Sequence, residues 1–293
     1  MFFFTFFLYS ITLKKTLGGY VNISNIFNGD GTKSSLSSNV INGHDASEGE
    51  FPFMAQIYHS NNPNELKYHC GGSLIGDQYI ITAAHCLYNK DLNWVPLNNV
   101  RIVVGKNVRR DEENNHKLYF VKTVDFYGDP FTTAYDFAIY TLSTKVPESE
   151  ASPIKIYPGK ICNNIPVQVL GFGRVNPEVY EIKNVLQKAN VDISSSTNCT
   201  KMNKHWNNNN EMLICQESKG INESNDSCKG DSGGPLITRY NDTNYLVGVV
   251  STGHKLTNQS NTCGKNIVAY YARVGYYFED IISITNISKK NLT

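Results

Sequence analysis

The sequence has almost no net charge. Its 293 residues carry 27 Lys and Arg against 26 Asp and Glu, which gives a formal charge of +1 at pH 7. A protein that grips nucleic acid needs clustered basic residues to contact the phosphates, and this chain has no such excess. We therefore expect no nucleic-acid partner. The length fits two domains or one large β structure and is ample for a packed core.

Long apolar runs are also missing, except at the N-terminus, where residues 1–13 read MFFFTFFLYSITL. A membrane-spanning helix needs about 20 apolar residues, so this run is too short, but it lies where a secretory signal has its apolar region. Lys14 and Lys15 follow the run instead of preceding it, and a buried N-terminal strand is the alternative. We predict a signal peptide over residues 1–19, a polar pro-segment over residues 20–39, an extracellular protein and no membrane association.

No pair of the seven cysteines has C-x-x-C spacing, which argues against a zinc ribbon. Disulfides are the default in an oxidising compartment, and an odd count leaves one cysteine over. Eight Asn-x-Ser/Thr sequons favour the same compartment and predict a glycoprotein, although several matches are expected by chance: Asn22, Asn198, Asn222, Asn225, Asn241, Asn258, Asn286 and Asn291.

Helical periodicity is scarce, and short β-branched or aromatic runs separated by turn residues fill the rest of the chain. This pattern favours an all-β barrel or sandwich. Residues 276–284 are the exception, because apolar side chains recur there at four-residue spacing and predict a short helix. The predicted strands cover residues 79–82, 100–105, 118–124, 137–142, 167–170, 185–193, 245–251 and 267–274.

Three short segments hold residue types that act together in nucleophilic catalysis. Residues 227–235 read SCKGDSGGP and flank Ser232 with glycines, which leaves backbone N–H groups free to face a reacting carbonyl oxygen. The pattern Gly-x-Ser-x-Gly also fits the nucleophile elbow of α/β-hydrolases. That fold needs its acid and then its histidine after the serine, and only His254 follows Ser232, at too short a spacing.

Upstream, ITAAHC at residues 81–86 places His85 at the end of an apolar strand, and YDFAI at residues 135–139 places Asp136 at the head of another. These three motifs, in the order His, Asp, Ser, closely resemble the trypsin/chymotrypsin-like serine protease family. The resemblance spans nearly all of the mature chain. It implies two packed six-stranded antiparallel β-barrels with a C-terminal α-helix, in a protease domain over residues 40–290.

The resemblance also implies the catalytic roles. Ser232 would attack the peptide carbonyl while His85 accepts its proton, because a serine hydroxyl alone is a weak nucleophile at neutral pH. Asp136 would hold His85 in the useful tautomer. The N–H groups of Gly230 and Ser232 would form the oxyanion hole. The six other histidines are interpreted as surface residues.

Three disulfides follow from the resemblance: Cys70 with Cys86, Cys199 with Cys215, and Cys228 with Cys263. Cys162 is then left over. It is either a buried free thiol or a covalent link to another chain.

Substrate preference is implied by Asp226, six residues before the nucleophile, where relatives place an acid at the base of the specificity pocket. A carboxylate in a poorly solvated slot favours a cationic guest, so Arg or Lys is expected at the cleaved bond; a surface turn acid is the alternative. Ser251 and Gly253 match the edge strand that pairs with substrate. Ala269 matches a wall position that is usually glycine, and its methyl is expected to weaken turnover of basic substrates.

Activation is implied by Val40, which begins the small apolar motif before which family zymogens are cut. The new ammonium would pair with Asp231. The residue before the cut is Asn39, where relatives usually have Arg or Lys, so a trypsin-like activator is not expected.

Two functions follow. The first is a secreted serine endopeptidase acting on proteins and peptides, bound by protein protease inhibitors and monomeric. The second is a latent or catalytically silent relative that acts as a binding or decoy protein. Nothing in the sequence requires a cofactor or a metal ion.

Overall fold

β strands make up most of the regular structure. The structure, a computed structural model, describes residues 43–62, 65–110, 115–128, 135–173, 183–218, 226–258 and 263–293. The described residues form fourteen strands: β1 His44–Asp45, β2 Met54–Asn62, β3 Glu65–Leu74, β4 Tyr79–Thr82, β5 Val100–Val104, β6 Tyr119–Tyr127, β7 Phe137–Leu142, β8 Lys155–Ile156, β9 Val167–Gly171, β10 Gln187–Val191, β11 Leu213–Ser218, β12 Pro235–Tyr240, β13 Thr243–Lys255 and β14 Ile267–Arg273.

The N-terminal strands form a closed six-stranded barrel in the order β2-β3-β4-β7-β6-β5, and every pair is antiparallel. In β5, only Arg101 is half-buried, and the other four residues, Val103 included, are buried, so both faces of this strand are largely covered. Closure leaves no free strand edge, so the barrel is a rigid base for the loops at its ends.

The C-terminal half contains six longer strands in the order β10-β9-β12-β13-β14-β11, again antiparallel. A bridge between Ile193 and Gln216, and a hydrogen bond of 2.8 Å from Ser194 N to Cys215 O, join the two ends of this series. Two two-residue strands extend it to an eight-stranded sheet: β1 on β10, and β8 parallel to β13. The predicted all-β fold is confirmed. The short strands β1 and β8 are additional to the six strands expected in this half.

Three α-helices occur among the described residues: α1 Thr197–Met202, α2 Phe278–Thr285 and α3 Lys289–Leu292. Helix α2 is the predicted C-terminal helix, and a 3-10 turn over Val274–Tyr277 precedes it. Its Ile281 is fully buried, and Tyr277 stacks on Phe137 of β7 with ring centroids 4.1 Å apart. The helix therefore braces the strand that follows Asp136. None of these helices has the length and apolarity needed to cross a membrane.

Candidate active site

Strand pairing brings His85 and Asp136 to the same end of the first barrel. Strand β4 ends at Thr82, which pairs with Ala138 near the start of β7. His85 follows in the 3-10 helix Ala84–Leu87, and Asp136 directly precedes β7. Cys86 is bonded to Cys70 of β3, so the turn that carries the imidazole is tied to the barrel wall.

The Asp136 carboxylate makes three hydrogen bonds. Oδ2 lies 2.8 Å from His85 Nδ1, and Oδ1 accepts from the backbone N–H of His85 at 2.9 Å. The Ser251 hydroxyl donates to Oδ2 at 2.5 Å. Asp136 itself is buried. These contacts fix the imidazole orientation and assign a proton to Nδ1, which leaves Nε2 as the ring's basic nitrogen.

Burial and the charge of the partner shift the pKa of His85, and likewise that of Asp136, in opposite directions. For His85, burial lowers the pKa, but the Asp136 charge and hydrogen bond outweigh it, and the net pKa lies above its ordinary value. For Asp136, burial raises the pKa, while the His85 charge and the bonds from His85 and Ser251 bring it below its ordinary value. Each partner thus stabilises the charged form of the other, as a general base that must briefly carry a proton requires.

Two glycines shape the loop around Ser232. Gly230 has φ +104°, and an added methyl there would lie 2.8 Å from Gly173 Cα. Gly233 has φ +73°, and a methyl there would lie 2.2 Å from Thr82 Oγ1 and 3.0 Å from Cys86 Sγ. Both positions need the left-handed region, and neither has room for a side chain. The loop can therefore pack directly against the segment that carries His85.

Ser232 lies against the strand and disulfide that hold His85. Its carbonyl accepts from Gly71 N at 2.8 Å, and Gly71 adjoins the Cys70–Cys86 bridge. Among the described residues the Ser232 hydroxyl makes no hydrogen bond, and His85 Nε2 lies 3.8 Å from Cys86 Sγ. Bonds between nucleophile and base are often long without substrate and shorten when it binds.

Several backbone N–H groups of the Ser232 loop already donate hydrogen bonds to backbone carbonyls. Asp231 N donates to Cys228 O, Gly233 N to Val250 O and Gly234 N to Asp231 O, each at 2.9 Å. The N–H groups of Gly230 and Ser232 have no acceptor among the described residues. Because backbone donors in a folded chain rarely stay unpaired, these two are available to an oxygen of a bound molecule.

Tyr68 was not identified from the sequence, yet it contacts this loop. Its hydroxyl donates to Gly230 O at 2.9 Å, and its ring packs edge-on against Tyr58 and Phe172, each at 5.7 Å between centroids. Burial raises the pKa of Tyr68 well above its ordinary value, so it remains a donor. Ser251 likewise does more than the sequence indicated, because it hydrogen-bonds Asp136 as well as lying on β13.

His59 and His69 correct the interpretation of the other histidines as surface residues. Their rings stack at 3.9 Å between centroids, and both are half-buried. Burial, then the neighbouring His69, lowers the pKa of His59 to about 3; burial, then the nearby His85, lowers that of His69 to about 4. Both rings are therefore neutral beside His85 at neutral pH.

The predicted pocket residues lie on neighbouring elements. Asp226 is fully buried, its Oδ2 accepts from Gly264 N at 2.9 Å, and its Oδ1 has no hydrogen-bond partner among the described residues. Burial, and to a smaller extent the charge of Asp231, raises the pKa of Asp226 to about 8. Ala269 is buried on β14 and pairs with Gly253 of β13.

Asp231 is also fully buried. Its Oδ1 accepts from Gly173 N and its Oδ2 from Cys228 N, both at 2.7 Å. Burial raises the pKa of Asp231 to about 6 even though these bonds oppose the change. Val40, its expected partner, and Asn39 lie outside the described residues.

The three disulfides join Cys70 to Cys86, Cys199 to Cys215 and Cys228 to Cys263, the pairs that the resemblance implies. Cys162 is the free cysteine, and it is exposed, so the expectation of a buried thiol is wrong. Cys70, His85 and Cys86 are the described group with metal-ligand spacing, but their two sulfurs are bonded to each other and cannot act as thiolate ligands.

Comparison with known proteins agrees with this geometry. The chain is 31% identical over 264 residues to Melanization protease 1 of Drosophila melanogaster, an alignment that covers 81% of this chain and 63% of that protein. It is 29% identical over 246 residues to Mannan-binding lectin serine protease 1 of Homo sapiens (78% and 33%), and 28% identical over 226 residues to Coagulation factor XI of Bos taurus (74% and 34%).

The chain thus spans between a third and two thirds of the length of these relatives. The sequence model of the Trypsin family matches residues 40–281, which is most of the chain. The protein belongs to the trypsin-like serine protease family.

Proposed function

We propose that this protein is a secreted serine endopeptidase that cleaves peptide bonds after Arg or Lys through an acyl-enzyme. The observation that carries the proposal is the hydrogen-bond network in which the buried Asp136 accepts from His85 Nδ1, His85 N and Ser251 Oγ. Such a network orients an imidazole and stabilises its protonated form, and the glycine-lined Ser232 loop packs against the same segment.

In the proposed mechanism, Ser232 Oγ attacks the carbonyl carbon and its proton passes to His85 Nε2. The oxyanion receives hydrogen bonds from the N–H groups of Gly230 and Ser232, and losing one such donor typically costs about 100–1000-fold in rate. His85 then protonates the leaving amine. A water molecule repeats the sequence on the acyl-enzyme and releases the acid.

The proposed preference for Arg or Lys follows from Asp226. Its carboxylate is buried with Oδ1 unpartnered among the described residues, and a bound guanidinium or ammonium would supply both the missing hydrogen bond and the opposite charge. The Ala269 methyl on the adjoining wall of the pocket would crowd the basic side chain of the substrate and slow the cleavage of such substrates.

Activation is proposed to require cleavage before Val40. The ammonium of Val40 would pair with Asp231, whose pKa burial raises to about 6, and would keep that carboxylate charged. The three disulfides support secretion, because such bonds persist in oxidising compartments.

The test uses secreted protein that begins at Val40, assayed on peptide amides with Arg, Lys, Phe or Asp at the cleaved bond. Hydrolysis of the Arg and Lys peptides, absent in the Ser232→Ala variant, is the expected result. Folded protein with this N-terminus and three disulfides that hydrolyses none of them would contradict the proposal and favour the decoy function.

A further inference from the structure

Arg109 joins two stretches of chain that lie far apart in the sequence. It follows β5, and its backbone N–H donates to Asn184 O at 2.7 Å. The neighbouring Val108 forms a strand bridge with Val185. The guanidinium adds two hydrogen bonds, from Nε to Lys183 O at 2.9 Å and from Nη2 to Asn184 Oδ1 at 2.6 Å. These partners fix the plane of the guanidinium, because arginine presents its donors in a rigid fork.

The same guanidinium lies over the ring of Tyr68. Its Cζ is 5.6 Å from the ring centroid, within the distance at which a cation is attracted to an aromatic face. The edge-on contacts with Tyr58 and Phe172 restrict the Tyr68 ring as well. The charge of Arg109 also acts on the phenol, because it partly offsets the increase in the pKa of Tyr68 that burial causes. Arg109 therefore restrains Tyr68 from a position that residues 183–185 set.

Tyr68 connects Arg109 to the Ser232 loop, because its hydroxyl donates to Gly230 O at 2.9 Å. The peptide unit that follows Gly230 is thereby held at both ends, since its N–H, which belongs to Asp231, donates to Cys228 O at 2.9 Å. Gly230 has φ +104° and no side chain, so its backbone would rotate easily without these bonds. The two bonds therefore hold the Gly230 N–H in one direction.

We propose that Arg109 is a positioning residue for the proposed oxyanion hole: by holding the Tyr68 ring, it keeps the Gly230 N–H directed at the reacting carbonyl oxygen. This inference rests on the proposed endopeptidase function. Arg109 acts through Tyr68 and not on the substrate itself. Because the carbonyl oxygen gains its negative charge only in the transition state, loss of Arg109 should lower kcat and leave KM unchanged.

The test uses Arg109→Met in protein that begins at Val40, because methionine keeps an apolar stem and removes the cation and its donors. On an Arg peptide amide, kcat should fall about threefold with KM unchanged. A peptide aldehyde, whose hemiacetal with Ser232 carries an oxyanion, should bind about threefold less tightly. Benzamidine, whose cation is expected in the Asp226 pocket alone, should bind as it does to the wild type.

A double variant tests the route through Tyr68. Arg109→Met added to Tyr68→Phe should slow the reaction no further than Tyr68→Phe alone, because both changes act on the same hydrogen bond to Gly230 O. Independent effects would multiply, to about fifteenfold instead of about fivefold. A multiplied loss would overturn the proposal.

Arg101 provides the matched control. It also donates to backbone carbonyls, those of Asn98 at 2.7 Å and Val100 at 2.9 Å. It lies over an aromatic ring as well, with Cζ 4.2 Å from the centroid of Phe120. These contacts lie on β5, on the segment before it and on β6. Arg101→Met should therefore leave kcat, KM and the affinity for both inhibitors unchanged.

Asn184→Ala is a milder second variant for the case in which Arg109→Met does not fold. Asn184 is exposed, and its loss removes one hydrogen bond of the guanidinium. It should weaken the binding of the aldehyde about twofold and leave that of benzamidine unchanged. Unchanged aldehyde affinity in the folded variants, or equal weakening of both inhibitors, would overturn the role of Arg109. Absence of hydrolysis by the wild-type protein would instead overturn the proposed function.

Discussion

Two regions of this molecule bury an aspartate, and the two carboxyls behave in opposite ways. Asp136, in the first barrel, has a pKa below its ordinary value because His85 and Ser251 outweigh burial. Asp226, in the second half, has a pKa raised to about 8 because burial dominates and Asp231 adds repulsion. The same side chain is thus held charged in one place and mainly neutral in the other.

The difference lies in the partner. Asp136 already has a hydrogen-bond partner within the chain that can become a cation, the imidazole of His85, whereas Asp226 has Oδ1 unpartnered among the described residues. A buried carboxylate without a cation is costly, so Asp226 keeps its proton at neutral pH unless a bound group brings a positive charge. This difference supports the proposal that Asp136 orients a catalytic group and that Asp226 selects a substrate.

The largest expected effect comes from removing the charge that holds His85. Asp136→Asn should lower kcat by about 10³ to 10⁴-fold, as in the general template for this triad, because the amide favours the wrong imidazole tautomer. Steady-state kinetics on an Arg peptide measures it. A loss of less than tenfold in folded protein would mean that Asp136 does not orient the base.

Asp226→Asn should lower kcat/KM for Arg peptides by about a hundredfold or more, because the guanidinium of the substrate arginine loses its charged partner. It should also change stability with pH. The folded-state pKa of Asp226 lies above its unfolded value, so the wild-type carboxyl stabilises the fold below about pH 4 and loses that contribution as pH rises through about 8.

Thermal midpoints measured from pH 4 to 9 check the second effect. The thermal midpoint of the Asp226→Asn protein should rise relative to that of the wild type as the pH rises. Asp192→Asn, at an exposed aspartate, should follow the wild-type curve. Parallel curves for all three proteins would show that Asp226 titrates normally.

Ala269→Gly should raise kcat/KM for basic peptides by about tenfold and shift the Arg-to-Lys ratio, because the methyl crowds the pocket wall. Ala272→Gly, at a fully buried alanine on the same strand, is the control for a general effect of glycine. No change in either substrate would refute the crowding.

Tyr68→Phe should lower kcat about fivefold with KM unchanged, because Gly230 O loses its donor and the oxyanion loop loses its position. The variant should also bind a peptide aldehyde less tightly while binding benzamidine as the wild type does. Tyr119→Phe removes a phenol that is hydrogen-bonded to Glu150, away from this loop, and should change neither kcat nor KM. Equal weakening of both inhibitors would point to a structural role alone.

Most of the strands and site residues that could be predicted from the sequence were predicted from short local motifs. The strands at residues 79–82 and 137–142, which position His85 and Asp136, have the predicted bounds because their apolar runs are short and continuous. Strand β3 was missed because its Gly71 and Gly72 interrupt the pattern. A methyl at Gly71 would lie 2.8 Å from Gly234 Cα, so close packing with the Ser232 loop requires the glycine that hides the strand.

Contacts between distant residues could not be predicted. Tyr68 and Gly230 are 162 residues apart, and no local spacing links them. The hydrogen bond from Arg109 Nε to Lys183 O spans 74 residues, and the raised pKa of Asp226 depends on burial that only the fold provides. These are the features that convert a recognised motif into a specific site.

Labelling with a fluorophosphonate probe tests the central claim most directly, because the probe reacts only with a serine activated by its neighbours. After cleavage before Val40, mass spectrometry should find the probe on Ser232, and labelling should disappear in both Ser232→Ala and His85→Ala. Folded, cleaved protein that takes up no probe, or takes it up equally without His85, would contradict a working assembly of His85, Asp136 and Ser232.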